Sequence, residues 1–278
     1  MRRIRRALLF LSLLLLLPCA AVAEQPTLRV TFFAIGKADA ALIAAPDGRH
    51  ILIDAGTNKD GKRLAGLLED AGIASLDAMI ITHFDKDHVG GADSVLKAIP
   101  VSQVVVPQYA KDSKQYEQFL KALKKSDDTR IIRLAAREDM AFPLADGLSL
   151  SVTAAHETDY GPDEENDFSL AIRLRFGEIR FLFPGDAEDA RQRELLAEGD
   201  VRCEVLKVPH HGRLHDASAA FLREASPRIA FIPDSETEPA SAAVEALLRE
   251  IGSDVYRTAD GDLTVATDGE HVWVEGKE

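Results

Sequence analysis

Short apolar runs rich in β-branched residues occupy positions 28–35, 40–45 and 51–54, and Gly36 and the Asp47-Gly48 pair punctuate them. Runs of this length broken by turn residues predict strands in an antiparallel meander. The period then changes. Leu64, Leu67 and Leu68 recur at helical spacing within 62–71, the apolar stretch 78–82 predicts a buried strand, and 92–99 is helical again. Strand 101–106, helix 116–125 and strand 130–134 continue an alternation that predicts βαβ units.

The second half repeats the plan. Predicted strands at 148–154, 169–176 and 179–183 precede a helix at 189–196. Strands at 204–208 and 229–232 then alternate with helices at 217–224 and 240–251, and the chain closes on strands at 263–266 and 272–274. Two β-rich halves with their own helices predict an α+β fold of the αββα sandwich type, two mixed β-sheets packed face to face with helices outside. A chain of 278 residues with 46% hydrophobic composition can bury such a core as one domain. The most loop-like stretch, 156–166, is crowded with acidic residues and is expected to border the functional site.

The first residues are set apart from the fold. Arg2, Arg3, Arg5 and Arg6 precede an apolar run from Ala7 to Leu17, and small residues follow at Ala21 and Ala23. This is the layout of a secretory signal peptide, and the run is shorter than the ~20 apolar residues of a spanning helix. Residues 1–23 are therefore expected to be cleaved after Ala23, leaving a domain of 24–278 that is exported to the periplasm or beyond with no membrane span. Acylation of Cys19 fits less well, because Pro18 stands where such sites need a small residue. Without the four arginines the chain carries 29 basic against 46 acidic residues, a net charge of −17. Such a surface disfavours nucleic acid and anionic membranes unless cations reverse the sign locally. Cys203 becomes the only thiol, so no intramolecular disulfide is available.

The chemistry concentrates in Thr82-His83-Phe84-Asp85-Lys86-Asp87-His88-Val89-Gly90-Gly91, which follows an apolar strand and places four potential metal ligands within six residues. In an extended loop His83 and Asp85 point the same way, as does Asp87 until the chain turns into a helix, leaving His88 to face a second ion. The plainer alternative is a helix cap with a polar loop. Asp186 ends the run Phe181-Leu182-Phe183-Pro184-Gly185-Asp186, where a carboxylate would emerge at a sheet edge. His210 and His211 leave another apolar strand beside Gly212, which lets the backbone turn sharply. Lys207 and Arg213 are candidate contacts for a substrate phosphate. His50, His215 and His271 have no supporting constellation and read as surface residues.

Taken together these motifs resemble the metallo-β-lactamase superfamily, and within it the soluble hydrolase domain of ComEC-type competence proteins. The likeness spans roughly 28–218 and includes Gly36-Lys37-Ala38-Asp39-Ala40, Ile51-Leu52-Ile53-Asp54-Ala55-Gly56, the His83 to Gly91 cluster, Asn166 with Ser169, Gly185-Asp186-Ala187-Glu188, and Leu206-Lys207-Val208-Pro209-His210-His211-Gly212. It implies that His83 and Asp85 hold one ion, that Asp87, His88 and His211 hold a second, that Asp186 bridges them, and that His210 lies near the substrate. Asp87 and His210 are then the expected catalytic pair, while Asp39 and Asp54 orient the ligating histidines. A further histidine commonly completes the first ion's shell in this superfamily, and His156 is the available candidate. Many members carry histidine where this chain has Asp85, which makes the site richer in oxygen donors and leaves zinc or manganese open. Ala38 replaces a usual glycine, and Arg213 and Asp216 replace usual serines, so the substrate side departs from the pattern.

The resemblance implies a hydrolase using a two-metal-activated hydroxide on a phosphodiester, either a small molecule or a nucleic acid. A small diester fits the acidic surface better than long DNA. Lactone or β-lactam hydrolysis, and a non-catalytic metal-binding or interaction module on the same fold, are the alternatives.

Overall fold

The computed structural model describes residues 26–145, 147–161 and 165–276. The expected signal segment lies outside them, as does part of the acidic 156–166 stretch. The first half of the chain forms strands β1 (Leu28–Phe32), β2 (Ala41–Ala44), β3 (His50–Ile53), β4 (Ala78–Ile80), β5 (Gln103–Pro107) and β6 (Arg130–Leu134), with helices α1 (Gly61–Asp70), α2 (Lys86–Val89), α3 (Ala92–Ala98) and α4 (Lys114–Leu123). The second half forms β7 (Asp139–Phe142), β8 (Leu148–Thr153), β9 (Ala171–Phe176), β10 (Ile179–Phe183), β11 (Val205–Lys207), β12 (Ile229–Ile232) and β13 (Asp254–Arg257), with α5 (Asp189–Glu198), α6 (Ser218–Ala225) and α7 (Ala242–Glu250). The hairpin β14 (Leu263–Thr267) and β15 (Val272–Val274) closes the chain.

These strands build two mixed sheets, ordered β15-β14-β1-β2-β3-β4-β5-β6 and β13-β12-β11-β10-β9-β8-β7. In each, an antiparallel meander feeds a parallel βαβ run: β3 to β6 in the first sheet, β10 to β13 in the second. The alternation in β1 shows why the sheets stack. Leu28, Val30 and Phe32 are buried while Arg29 between them is exposed, so one face of the strand turns inward. Phe32 stacks on Phe183 and Phe231 of the opposite sheet, with ring centroids 5.7 and 4.7 Å apart. Ile43, Ile51, Ile172 and Leu174 extend this central layer. The outer faces are covered by helices: Leu64, Leu68, Val95 and Phe119 over the first sheet, Leu195, Phe221, Val244 and Leu248 over the second. The αββα sandwich predicted from the sequence is therefore the observed architecture.

Two strands depart from the expectation. β7 and β13 are the two edges of the second sheet and have no counterpart among the predicted strands. Each is four residues long and mostly accessible, so neither carries the alternating apolar signal of a half-buried strand.

In parallel runs the loops that follow each strand emerge on the same side, and ligand sites of open α/β sheets form outside those carboxyl ends. Here the ends of β3, β4, β10, β11 and β12 deliver Asp54, His83, Asp186, His211 and Pro233 to one rim of the sandwich. Close packing holds that rim. Gly91 lies against Gly61 at the start of α1, and a Cβ there would overlap the Ala55 carbonyl oxygen and come within 2.7 Å of the Gly61 Cα. Gly91→Ala is expected to lower stability by about 1–3 kcal/mol, the range for overpacking a tight contact, read as a lower denaturant midpoint with an unchanged m-value.

Candidate metal centre

The loop after β4 is aimed by an aromatic anchor. Phe84 is buried against Tyr109 and Tyr116, at centroid distances of 4.7 and 4.4 Å, and its N–H donates to the Tyr109 hydroxyl at 2.8 Å. With Phe84 turned into the outer core, its neighbours His83 and Asp85 face the opposite way, as extended backbone requires. At the end of β10, Gly185 adopts φ +58, and a Cβ there would meet the Ser169 hydroxyl at 2.7 Å. The close approach lets the Ser169 hydroxyl accept from the Asp186 N–H at 3.0 Å and fixes the start of that carboxylate.

Four side chains converge at the rim. Donor atoms of Asp39, His88, Asp186 and His211, all buried, lie within 4.8 Å of one another. Asp186 Oδ2 is 3.2 Å from His88 Nε2 and 2.9 Å from His211 Nε2, and Asp87 Oδ2 is 3.4 Å from His211 Nε2. The His83 ring packs on His88 with centroids 4.0 Å apart. The opposite ring nitrogens are spoken for. Asp54 meets His88 Nδ1 at 2.8 Å, the Pro233 carbonyl accepts from His211 Nδ1 at 2.8 Å, and Thr82 Oγ1 lies 3.1 Å from His83 Nδ1. Asp54 is itself anchored by the Thr82 N–H and hydroxyl at 2.8 and 2.7 Å. Such outer partners fix the ring orientation and leave Nε2 as the ligand atom.

This arrangement fits a divalent cation. His83 Nε2 and Asp39 Oδ1 are buried without a hydrogen-bond partner, while His88 Nε2 and His211 Nε2 meet the Asp186 carboxylate as close ion-pair contacts and not as well-formed hydrogen bonds. A buried polar atom left unpaired costs free energy on the order of 1–3 kcal/mol, and convergent lone pairs next to carboxylates are what a cation satisfies.

Electrostatics make the same point. Burial and the neighbouring His88 push His83 down to about 4, so this ring stays neutral. Burial opposes charge on His211, yet Asp186 and Asp87 hold it up at about 9. Burial likewise opposes charge on His88, but Asp186, Asp39 and Asp54 hold it well above the usual imidazole range. Burial alone would raise Asp186, yet His211, Lys207 and His88 keep it well below the carboxylate range. Burial prevails at Asp39, which is raised even though it pairs with Lys207.

The structure sorts the residues singled out from the sequence. His88, Asp186 and His211 form the compact cluster, with Asp87 and His83 against it. Asp39, expected only to orient a histidine, has its own carboxylate in the cluster, whereas Asp54 does orient His88. Asp85 sits at the mouth, its carboxylate 2.6 Å from Lys111 Nζ, and Lys111 also pairs with Glu165. Lys207 is buried, with its ammonium on the Gly185 carbonyl at 2.8 Å, on Asp186 at 2.8 Å and on Asp39. Its three donors are used, so it supports carboxylates instead of meeting a substrate. Arg213 is exposed beside these groups. His156 is not brought to the cluster; its Nε2 pairs with Glu198 on α5 at 3.0 Å.

His210 and His211 take consecutive left-handed conformations, φ 44 and 53. Each such residue stores about 1–3 kcal/mol of strain, and their rings diverge: His211 into the cluster, His210 toward Glu188 and His215. Lys111, Glu188 and His215 were not among the sequence candidates. Glu188 closes the Gly185-Asp186-Ala187-Glu188 motif but carried no assigned role, Lys111 lies in no motif, and His215 was read as a surface residue; the contacts of Lys111 with Asp85 and of Glu188 with His210 join distant loops.

Because Asp186 and its neighbours keep protons on His88 and His211, a cation that takes these Nε2 atoms must displace them. Both pKa values are raised, His211 to about 9 and His88 well above the usual imidazole range, so the His211 proton competes below about pH 9 and that competition fades as pH rises through that value. Metal affinity of chelator-stripped protein is expected to strengthen from pH 6 to pH 9. Calorimetric titrations at pH 7 in buffers of different ionisation enthalpy should show net proton release, and a release of zero would contradict the assignment.

Comparison with known proteins bears directly on this geometry. The family model described as the metallo-beta-lactamase superfamily matches residues 36–233. ComE operon protein 3 of Bacillus subtilis is 28% identical over 238 residues, covering 79% of this chain and 29% of that protein. Recombination protein 2 of Haemophilus influenzae is 29% identical over 221 residues, covering 78% of this chain and 25% of that protein. This chain thus spans less than a third of either relative. Among solved structures, Igni18, a metallo hydrolase from the archaeon Ignicoccus hospitalis, superposes with a TM-score of 0.54 at 18% identity, covering 87% of this chain and 98% of that one. The matched segment contains every residue of the rim cluster, and the chain belongs to the metallo-β-lactamase superfamily.

Proposed function

We propose that this chain is an exported metal-dependent phosphodiesterase, acting on small or nucleic-acid phosphodiesters. The observation that carries the metal dependence is the convergence of buried donor atoms of Asp39, His88, Asp186 and His211 within one group, with the unpartnered Nε2 of His83 on the ring packed against His88. His83 and Asp85 would hold one ion, Asp87, His88 and His211 the other, and Asp186 both, with Asp39 alongside. Two divalent ions, when bound, acidify water for attack and stabilise the negative charge that develops on phosphorus-bound oxygens.

The chain's own residues prepare this chemistry. Asp54 and the Pro233 carbonyl lock two rings with Nε2 forward. Lys207 supplies a fixed positive charge behind Asp186 and Asp39, which keeps Asp186 anionic. The carboxylate share of the donor set suits manganese, and the three imidazoles keep zinc in contention. Support for a phosphodiester comes from the competence and recombination relatives, of which only a hydrolase-sized part is shared.

Purified protein supplied with manganese or zinc is expected to hydrolyse bis-p-nitrophenyl phosphate, with activity abolished by chelator and restored by metal. Asp186→Asn should reduce kcat/KM by 10²-fold or more, on the order of 2.7 kcal/mol of transition-state stabilisation. Turnover of a lactone or β-lactam with no diester hydrolysis would overturn the substrate reading, and parallel incubation with single- and double-stranded DNA separates a nuclease from a small-diester enzyme. For export, the N-terminus of the protein recovered from the cell envelope or medium should be Glu24; an intact Met1 in the cytosol would reject it.

A further inference from the structure

A second group of ligand atoms lies beside the rim cluster but apart from it. Glu188 follows Asp186 by two residues as the N-cap of α5, and His210 and His215 flank the turn after β11. His210 Nδ1 is 3.0 Å from Glu188 Oε1 and 2.9 Å from His215 Nε2, and the two rings meet end to end through these nitrogens with centroids 5.1 Å apart and planes 17° from parallel. One donor atom from each of the three residues falls within a single 4.8 Å group.

Hydrogen bonding serves these two contacts of His210 Nδ1 only one at a time. One ring nitrogen, His210 Nδ1, faces both the carboxylate oxygen and the second imidazole nitrogen. It carries at most one proton, and a proton aimed at Glu188 is not aimed at His215. A proton on His215 Nε2 aimed at His210 would instead turn the His210 lone pair toward the carboxylate. Glu188 Oε1 already accepts from the Asn166 amide at 2.8 Å. A cation among the three resolves every contact at once. With each donor about 2.1 Å from a tetrahedral ion, donor atoms stand roughly 3.4 Å apart, so binding requires the two facing nitrogens to separate slightly and the rings to turn until their lone pairs converge.

The surroundings are built to present these atoms. The left-handed conformations of His210 and His211 send adjacent rings to different groups, which places His210 here and His211 in the main cluster. His210 is buried, and Glu188 and His215 are partly so. The Glu188 N–H donates to Asp167 at 2.8 Å and the His215 N–H donates to the Ser218 hydroxyl at 3.0 Å, so both backbones are pinned. Asn166, which holds Glu188, also lines the open cleft with Asp85, Lys111 and Glu165.

We propose that Glu188, His210 and His215 form an additional site for a borderline divalent cation such as zinc, separate from the Asp39, His88, Asp186 and His211 centre. Two imidazoles and one carboxylate are a donor set for zinc or cobalt, and three protein ligands leave a coordination position for water or a substrate oxygen. The inference concerns metal content and does not depend on the substrate assigned above.

The full chain is stripped with chelator, reloaded with zinc or cobalt, desalted and measured by elemental mass spectrometry. Wild type is expected to carry about one more ion per chain than His215→Ala, and Glu188→Gln should show the same deficit. The Gln carbonyl retains an acceptor for Asn166, which guards against simple disruption of the loop. Cobalt-loaded wild type minus His215→Ala should give a visible d–d difference spectrum. Circular dichroism melts recorded in chelator confirm that both variants are folded. Equal metal content and superimposable cobalt spectra in wild type and both folded variants would overturn the proposal. Loss of diester hydrolysis with the ion difference intact would overturn only the substrate reading.

Discussion

Negative charge buried where two sheets meet is the constraint on which the site depends. Asp39, Asp54 and Asp186 are almost wholly inside the protein, and Asp87 is close to them. Carboxylates in such a place persist as anions only if paired, since desolvating an ion costs several kcal/mol before any compensation. One permanent cation, Lys207, is inserted among them, and two imidazoles acquire protons from the same field. The apo protein therefore has an internal means of balancing its own ligands, and bound cations take over a role that protons otherwise fill.

Topology explains how so many charged groups reach one spot without disrupting the core. Both sheets end their parallel runs at the same rim, so each ligand comes from the first residues past a strand that is itself buried. The apolar layer centred on Phe32, Phe183 and Phe231 continues beneath the rim. Rigid strands position the first residues of each loop, and local devices do the rest: the Phe84 anchor, the Gly185 approach to Ser169, and the paired left-handed histidines.

How much of this was readable in the sequence follows from the range of the interactions. The meander, the βαβ runs and the sandwich class rest on periodicities within ten residues, and they were legible. So were His83, Asp87 and His88, crowded into one motif, and Asp186 and His211 at strand ends. Edge strands β7 and β13 were not, because a strand accessible on most sides has no periodic apolar pattern. Lys207 could be recognised as a cation beside the site, but whether it faced substrate or carboxylate depended on Asp39, 168 positions away. His215 had no motif around it; its meaning comes from Glu188, brought near by the crossover through α5. Asp85 was legible as a carboxylate in the motif, while its pairing with Lys111 required the fold.

The strand order of the first sheet also bears on how the chain can be made. β1, the first strand of the described residues, sits inside that sheet between β2 and β14, with Leu28 opposite Thr267 and Phe32 opposite Leu263. One edge of β1 therefore finds its partner only in residues 263–267, more than 230 positions further along the chain. A pairing this distant in sequence makes completion of that sheet wait for residues 263–267. The hairpin of β14 and β15 is thus the latch of the first sheet, the piece that seals β1 into its interior.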